Sequence, residues 1–382
     1  MRIAITHPTT FARVRRGTER FADDLASYLA SKGHEVSLLA CKPGRPEVVR
    51  ERGYATIYHR RLWHPFLAKA GILEHHSFLV TTFWTLLRTR FDIVHSCSFT
   101  DGYAAGVARQ ITGVPNVLLV NGLPHTVRQI RSITLGGAVF KRAVQQASEV
   151  IVPSEYVHAY VKKRWERNCV VIPPAVDVSH FPLSRTRDLR RPIILCTSAL
   201  NEPRKGGRLL MRAFDQLKGA CPGVVLQICT EVSETVRTEL LKLVSPKYHT
   251  DVQFLGPGRP EDLPAVYGRA SASVLSSLDE PFGMVLLESM ATGTPVVGTR
   301  HGGIPEVIRD GVGRLFDPGP ADKGSPSNVD GLVQALREVL DLSRQEGTPD
   351  RCRGHVEQFT WPVIGRRHEE LYERVRLQRE RL

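Results

Sequence analysis

Two glutamates and a pair of adjacent cations mark where this chain could do chemistry. The nine residues Glu280 to Glu288 read EPFGMVLLE. They set Glu280 in a Pro-Gly turn and Glu288 in an apolar helix start, between Leu287 and Ser289-Met290. A buried carboxylate is costly without partners. A polar ligand lying against the helix start would supply one. Upstream, NEPRKGG puts Arg204 and Lys205 side by side, just after a predicted strand over Ile193–Thr197. A guanidinium fork beside a point charge suits a diphosphate, although such a turn alone reads more plainly as a solvated loop. Pro281-Phe282-Gly283 leads into a predicted helix over Met284–Ala291, whose free N–H groups and dipole would face an anion. In GTRHGGIPE, residues 298–306, Gly302 and Gly303 permit close backbone approach to a ligand.

Other chemistries lack their signatures. There is no GxxxxGK[ST] phosphate loop, no full GxGxxG turn, no GxSxG elbow and no HExxH. His75-His76 after Glu74 is a weak metal pattern, and no metal site is expected. No Asp-x-Asp pair is present to bridge a metal to a diphosphate. Any diphosphate bound here must be neutralised by protein cations and backbone N–H groups. No zinc-finger spacing or basic-aromatic repeat points to nucleic acid.

The elements that must hold these residues alternate along the chain. Strands are predicted at Arg2–Thr6, Glu35–Ala40, Ile93–His95, Asn116–Val120 and Val150–Val152, with helical spacing over Thr18–Lys32. The pattern restarts after Pro173-Pro174, with strands at Ile193–Thr197, Val224–Cys229, Val252–Leu255, Ala272–Leu275 and Pro295–Gly298. Helices fall near Arg208–Leu217, Leu263–Arg269 and Met284–Ala291. Such alternation reads as α/β: two Rossmann-like, doubly wound domains in series, facing a central cleft. Residues 1–184 form the first domain and 185–360 the second. A charged amphipathic helix over 361–382 is expected to pack back toward the first.

The 382 residues are 42% hydrophobic and 24% charged, an ordinary globular balance. Net charge is +13, and residues 1–185 hold 25 Lys and Arg against 13 Asp and Glu. That excess points to an anionic partner for the first half, or simply to a basic solvated surface. Residues Leu62–Leu87 carry Trp63, Phe66, Phe78, Phe83 and Trp84 among basic and His residues. They read either as a membrane- or acceptor-facing amphipathic segment or as core-packed helices. Seven cysteines without a CxxC pair fit reduced, buried thiols. No eighteen-residue apolar run exists to span a bilayer. A cytoplasmic protein, with peripheral attachment to the inner membrane face as an option, is expected.

The order RKG, then EPFG…E, then GG.PE resembles the retaining GT-B glycosyltransferases of the family 4-like group 1. EPFGMVLLESMATGTPVVGT and GGIPEVIRDGVGRLFDP carry the likeness in the second half. RGTERFADDLASYLASKGHEV, FDIVHSCS, GVPNVLLVNG and VIVPSEYV carry it more loosely in the first. The resemblance implies sugar transfer from a nucleoside-diphosphate donor, UDP- or GDP-linked, to a hydroxyl acceptor. That acceptor could be lipid-linked, a sugar or a natural product. No cofactor beyond the donor is implied.

Carried onto matching positions, Arg204 and Lys205 would contact the diphosphate, and Glu280 with the Phe282-Gly283 backbone would bind the sugar. Glu288 would accept from the ribose hydroxyls, and Met284 and Gly256 complete the donor set. Arg16, Gly17, Asn121 and His125 are the acceptor or phosphate-loop positions. The chain departs from the pattern in two places. Ala199 stands where many relatives carry Arg, and Asn121-Gly122 stands where many carry His-Gly. An Asn cannot shuttle protons, and His125 is a candidate stand-in. His95 reads as structural. The departures keep open a non-catalytic nucleotide-sugar binder, and a sugar-nucleotide epimerase or glycoside phosphorylase on this fold is a further alternative.

Overall fold

The structure is a computed structural model. It describes residues 1–13, 17–60, 74–123 and 134–380, with the side chains of 74–77, 134–136 and 380 left aside. The chain divides into two compact units, Met1–Ala175 with Trp361–Leu382, and Val176–Thr360. The division precedes the boundary expected at 184. The reason is local: the Val176 N–H donates to Phe359 O at 2.9 Å, and Phe181 is fully buried in the second unit's core.

The first unit runs β1 (Arg2–Thr6), α1 (Gly17–Ser31), β2 (Glu35–Lys42), β3 (Glu47–Glu51), β4 (Tyr54–Arg60), α2 (Glu74–Arg88), β5 (Ile93–Ser96), α3 (Phe99–Thr112), β6 (Asn116–Leu119), α4 (Thr134–Gln146), β7 (Glu149–Val152), α5 (Glu155–Trp165) and β8 (Val170–Val171). Its eight strands lie in the order β3-β4-β2-β1-β5-β6-β7-β8. All neighbours are parallel except β3 on β4. Strands buried on both faces alternate their side chains between two cores. Ile3 and Ile5 of β1 enter one core with α1, and Ala4 enters the other with α2.

The β3–β4 hairpin was not expected from sequence. Its two-residue turn is Arg52-Gly53, with φ of 52° and 83°. Positive φ at both positions is what a tight hairpin needs, but Arg-Gly is a weaker cue than Asn-Gly.

The second unit runs β9 (Ile193–Cys196), α6 (Gly207–Ala220), β10 (Val225–Ile228), α7 (Glu234–Leu241), β11 (Val252–Phe254), α8 (Leu263–Arg269), β12 (Ala272–Leu275), α9 (Met284–Ala291), β13 (Val296–Thr299), β14 (Gly313–Phe316), α10 (Val329–Ser343) and α11 (Thr348–Val356). The six strands are all parallel, in the order β11-β10-β9-β12-β13-β14. This is the doubly wound order, with its switch point between β9 and β12, and ligands bind beyond the carboxyl ends there. Ile194 and Cys196 of β9 pack with α6 and α10, while Leu195 faces α8 and α9 on the other side. The apolar spacing of Leu209, Leu210, Ala213, Phe214 and Leu217 makes α6 amphipathic and buries one stripe of it.

The last helix, α12 (Trp361–Glu380), belongs to the first unit. Trp361, Ile364, Leu371, Tyr372 and Val375 join α1 and β1 in one core. At its centre His95 and His368 are both fully buried, with ring centroids 5.5 Å apart. His95 Nδ1 lies 2.5 Å from the Tyr372 hydroxyl. His95 is therefore structural. Burial pulls its pKa down to about 3 and holds that of His368 well below the usual histidine value.

Candidate active site

Three loops meet at the carboxyl edge of the second unit's sheet, after β9, β12 and β13. The first carries Arg204 and Lys205 on a short 3-10 turn, Pro203–Lys205. Gly206 closes it at φ +75°, and a Cβ there would lie 2.1 Å from Ser276 O. Only glycine fits. The second loop is held against the first. Ser276 Oγ donates to Lys205 O at 3.2 Å, and the Leu278 N–H donates to Arg204 O at 2.7 Å.

The central contact is an ion pair. Lys205 Nζ donates to Glu280 Oε2 at 2.7 Å, with both side chains about 15% exposed. Two residues 75 positions apart are thereby joined over the switch point. Arg204 folds onto Glu202, its Nε donating at 2.9 Å. Its Nη1 is buried with no hydrogen-bond partner. Ser198 Oγ, after β9, and Ser277 Oγ, after β12, are buried without partners as well. Such orphaned groups need an explanation. A ligand rich in acceptor oxygens, seated on this edge, would satisfy them.

The third loop fixes Glu280 from behind. The Gly303 N–H donates to Glu280 O at 2.8 Å. A Cβ on Gly302 would lie 2.5 Å from Glu280 O, and one on Gly303 2.2 Å from Pro281 O. These glycines admit the backbone of the neighbouring loop. His301 Nδ1 accepts from the Asp279 N–H at 3.2 Å, where Asp279 is held at φ 51°. The glycine pair thus positions Glu280.

Gly283 caps α9 in the left-handed region at φ +102°. The first-turn N–H groups of a helix have no intrahelical partner. Phe282 is buried, its ring 5.8 Å from that of Phe359, so its side chain anchors the loop and its backbone alone borders the site. Met284 is partly exposed at the helix start.

Glu288 is 8% exposed on α9. The Tyr267 hydroxyl donates to its Oε2 at 2.9 Å and lies 3.1 Å from Thr197 Oγ1. The carboxylate thus has a protein partner, and that partner is a phenol. Sequence reading missed Tyr267, whose only signal was a hydroxyl on a helix position otherwise apolar. Gly256 lies past the edge strand β11, with β10 and β9 between that strand and β12. Ala199 is exposed after β9.

In the first unit, Asn121 Nδ2 donates to Thr18 Oγ1 at 3.0 Å. That bond ties the carboxyl end of β6 to the start of α1, where Gly17 sits. Arg16, His125 and the segment's residues 62–73 lie outside the described residues, as do the side chains of His75 and His76. Within α2, Phe78 and Leu86 are buried, while Val80 and Trp84 are 51% and 50% exposed. The helix is core-packed on one side and apolar on its open side. A buried carboxylic acid, Asp101, was also missed. Thr6 Oγ1 donates to it at 2.5 Å, and burial raises its pKa to about 6.

Among the described residues no cluster of three metal-ligating side chains is found, and no helix is long and apolar enough to cross a membrane. All seven cysteines are free thiols, five of them buried.

Two doubly wound units, one with cations and a helix start over its switch point, define a protein of GT-B architecture. Solved structures share this fold. Sucrose-phosphate synthase from Thermosynechococcus elongatus superposes with a TM-score of 0.80 at 22% identity over 98% of both chains. Anabaena HepE, solved with UDP and glucose, gives 0.73 at 17% identity over 98% of this chain and 99% of its own. The family model for group 1 glycosyl transferases matches residues 191–341, and that for glycosyltransferase family 4 matches 15–180. The D-inositol 3-phosphate glycosyltransferase of Actinosynnema mirum is 29% identical over 301 residues, 71% of this chain and 69% of its own. The phosphatidyl-myo-inositol mannosyltransferase of Propionibacterium freudenreichii is 26% identical over 380 residues, 96% and 93% of the two chains. This chain belongs to the group 1 glycosyltransferases of GT-B architecture.

Proposed function

We propose that the enzyme transfers a sugar, with retention at the anomeric carbon, from a nucleoside-diphosphate sugar to a hydroxyl on a phosphate-bearing acceptor. The observation that carries the donor half is the Lys205–Glu280 pair at 2.7 Å over the switch point of the second unit. Lys205, the orphaned Nη1 of Arg204 and the α9 N-terminus supply positive potential for a diphosphate. Glu280 orients the sugar hydroxyls, and Glu288 accepts from the ribose. Arg204 takes up the charge that Ala199 cannot provide.

The C1–O bond to the diphosphate breaks as positive charge grows on the sugar ring. Lys205 and Arg204 stabilise the departing diphosphate. The acceptor oxygen bonds to C1 on the face the diphosphate leaves, and its proton passes to a phosphate oxygen. No side chain has to act as nucleophile or base, so Asn121 in place of a histidine is no obstacle. The diphosphate's charge is met by protein groups, and no metal ion or cofactor is assigned a part.

The acceptor's phosphate is supported by two features. Residues 1–185 hold nearly twice as many basic as acidic side chains. The names of both relatives above, inositol 3-phosphate and phosphatidyl-inositol, specify acceptors that carry a phosphate. Gly17, Arg16, Asn121 and His125 are the positions assigned to it. The exposed Val80 and Trp84 add a surface for a lipid-borne version, as a peripheral enzyme on the inner membrane face.

The test is a thermal-shift screen of UDP-, GDP- and ADP-sugars, since a ligand bound only by the folded state raises stability by mass action. UDP belongs first in the screen because HepE was solved with it. The stabilising donor is then incubated with inositol phosphate or phosphatidylinositol, and the anomer formed is read by NMR. Retention of the donor's configuration is expected. Inversion, or turnover of the donor with no acceptor present, overturns the reading. Sedimentation with anionic against neutral vesicles separates a membrane-borne acceptor from a soluble one.

A further inference from the structure

We propose that Tyr267 is the residue that sets recognition of the donor's ribose, by fixing the Glu288 carboxylate in its receiving orientation. The proposal rests on the assignment of Glu288 to the ribose and goes one step behind it.

Residues Leu286 through Ala291 of α9 are all buried, and Glu288 is the one charged group among them. A carboxylate on a buried helical face has several rotamers, and a ligand that needs one of them is weakened by the rest. The Tyr267 hydroxyl removes that freedom. It donates to Glu288 Oε2 at 2.9 Å and is within 3.1 Å of Thr197 Oγ1. Because the phenol has one proton, donating it to Glu288 requires Thr197 to be the donor in the second bond. The result is a directed chain, Thr197 to Tyr267 to Glu288, running from the end of β9 to α9.

The phenol is rigid. Tyr267 is 1% exposed. Phe181 stands edge-on to its ring, with centroids 6.1 Å apart. Its own carbonyl accepts from Thr294 Oγ1 at 2.8 Å. Ring and backbone are both pinned, so the hydroxyl direction is set by the core. A positioned carboxylate held by a rigid neighbour is how a site gains selectivity for hydroxyls. A phenol used only to satisfy a buried acid would bond Glu288 without any effect on ligand choice, and the two roles separate by experiment.

The experiment measures the dissociation constants of UDP, GDP and ADP and of their 2′,3′-dideoxy counterparts by calorimetry, on the full chain. The quantity read is the ratio of dideoxy to ribo constants for the base that binds best. For the unaltered enzyme a ratio of about 10 to 100 is expected for hydrogen bonds to a charged acceptor. Glu288→Gln should bring it near 1. Tyr267→Phe should reduce it at least three-fold, with the dideoxy constant unchanged and the melting temperature within a few degrees. Thr197→Val, one bond further back, should reduce it less.

A purely structural tyrosine would weaken both ligands alike and leave the ratio where it was. A full ratio in Tyr267→Phe alongside a collapsed one in Glu288→Gln overturns the role of Tyr267 and leaves Glu288 its own. No discrimination in the unaltered enzyme overturns both. Should Tyr267→Phe fail to fold, Thr197→Val carries the test, and an unchanged ratio there overturns the proposal.

Discussion

The two units share one architecture and use its carboxyl edge differently. In the second unit the loops after β9, β12 and β13 are stapled by backbone hydrogen bonds and by glycines that no other residue could replace. The edge is a rigid frame that presents two cations and two carboxylates. In the first unit the described part of the same edge adds side-chain ties, Thr6 to Asp101 and Asn121 to Thr18, to backbone bonds such as His7 N–H to Leu39 O and Cys41 N–H to Pro8 O. A frame made of backbone specifies one ligand geometry. A frame made of side chains can change its ligand by substitution without disturbing the sheet.

The largest expected effect falls on the rigid frame. Lys205→Ala and Glu280→Ala should each lower kcat by about 10²- to 10³-fold, the usual loss when one charge-stabilising group leaves a site. Both variants should stay folded, since removing one member of this partly solvated pair costs on the order of 1–3 kcal/mol. Steady-state kinetics beside a melting curve checks this. Full turnover in either variant breaks the contrast between the units, because the stapled geometry would then be scaffolding.

A second prediction tests the glycines. Gly206→Ala would drive a Cβ to 2.1 Å from Ser276 O, and backbone cannot step aside. A loss of about 3 kcal/mol or more is expected, with the second unit's melting transition falling accordingly. Gly256→Ala is the control. Gly256 has φ +72° with open space around its Cβ, so only the left-handed backbone penalty of about 1–2 kcal/mol applies. Equal losses would show that conformation, not the stapled loops, sets the frame's stability.

How much of this was readable from sequence follows the same division. The strands β9, β12 and β13 announce themselves as short β-branched runs, and EPFG and NEPRKGG mark the loops after two of them. The sequence could not show that Lys205 reaches Glu280, because 75 residues of intervening fold decide it. Nor could it show that Gly302 and Gly303 lie against the backbone of Glu280 and Pro281, since glycine signals closeness without naming the neighbour. Tyr267 was hidden because a buried tyrosine looks like core until its hydroxyl partner is known. In the first unit, α12 returns to the core of β1 across the whole second unit of sequence, which no local pattern encodes.

The third prediction concerns that returning helix. His95 and His368 titrate far below their unfolded value of about 6.5. As pH falls below that value, the unfolded chain takes up two protons that the folded unit resists. Stability is therefore complete above pH 7.5 and falls as pH drops through 6.5. Asp101 acts in the opposite sense. Its folded pKa of about 6 lies above its unfolded value, so it favours the folded state as pH falls from 6 toward 4. Two histidines outweigh one aspartic acid, so these three groups together contribute a slope near pH 5 of about one proton, or ~1.4 kcal/mol per pH unit, and His59, lowered by burial, adds in the same direction. His368→Phe should reduce that slope by about one proton. Denaturant midpoints at pH 5, 6 and 7 measure it, and an unchanged slope would show that the pair does not titrate in isolation within the core.

The smallest expected effect is none at all. If Lys205, Arg204 and the α9 N-terminus meet the diphosphate's charge, stripping divalent ions with EDTA should leave donor binding and turnover unchanged. The two cations sit within one turn of chain, and one already holds a carboxylate at 2.7 Å. On that reading an incoming diphosphate would compete for Lys205 against Glu280 and would offer Arg204 Nη1 the partner it lacks. Donor affinity should accordingly weaken as salt rises, by an amount that shrinks in Arg204→Ala, since one screened ionic contact has been removed. A ten-fold loss on chelation, restored by magnesium or manganese, would move the phosphate charge from the protein to a metal. The stapled frame would then be only half of the donor site.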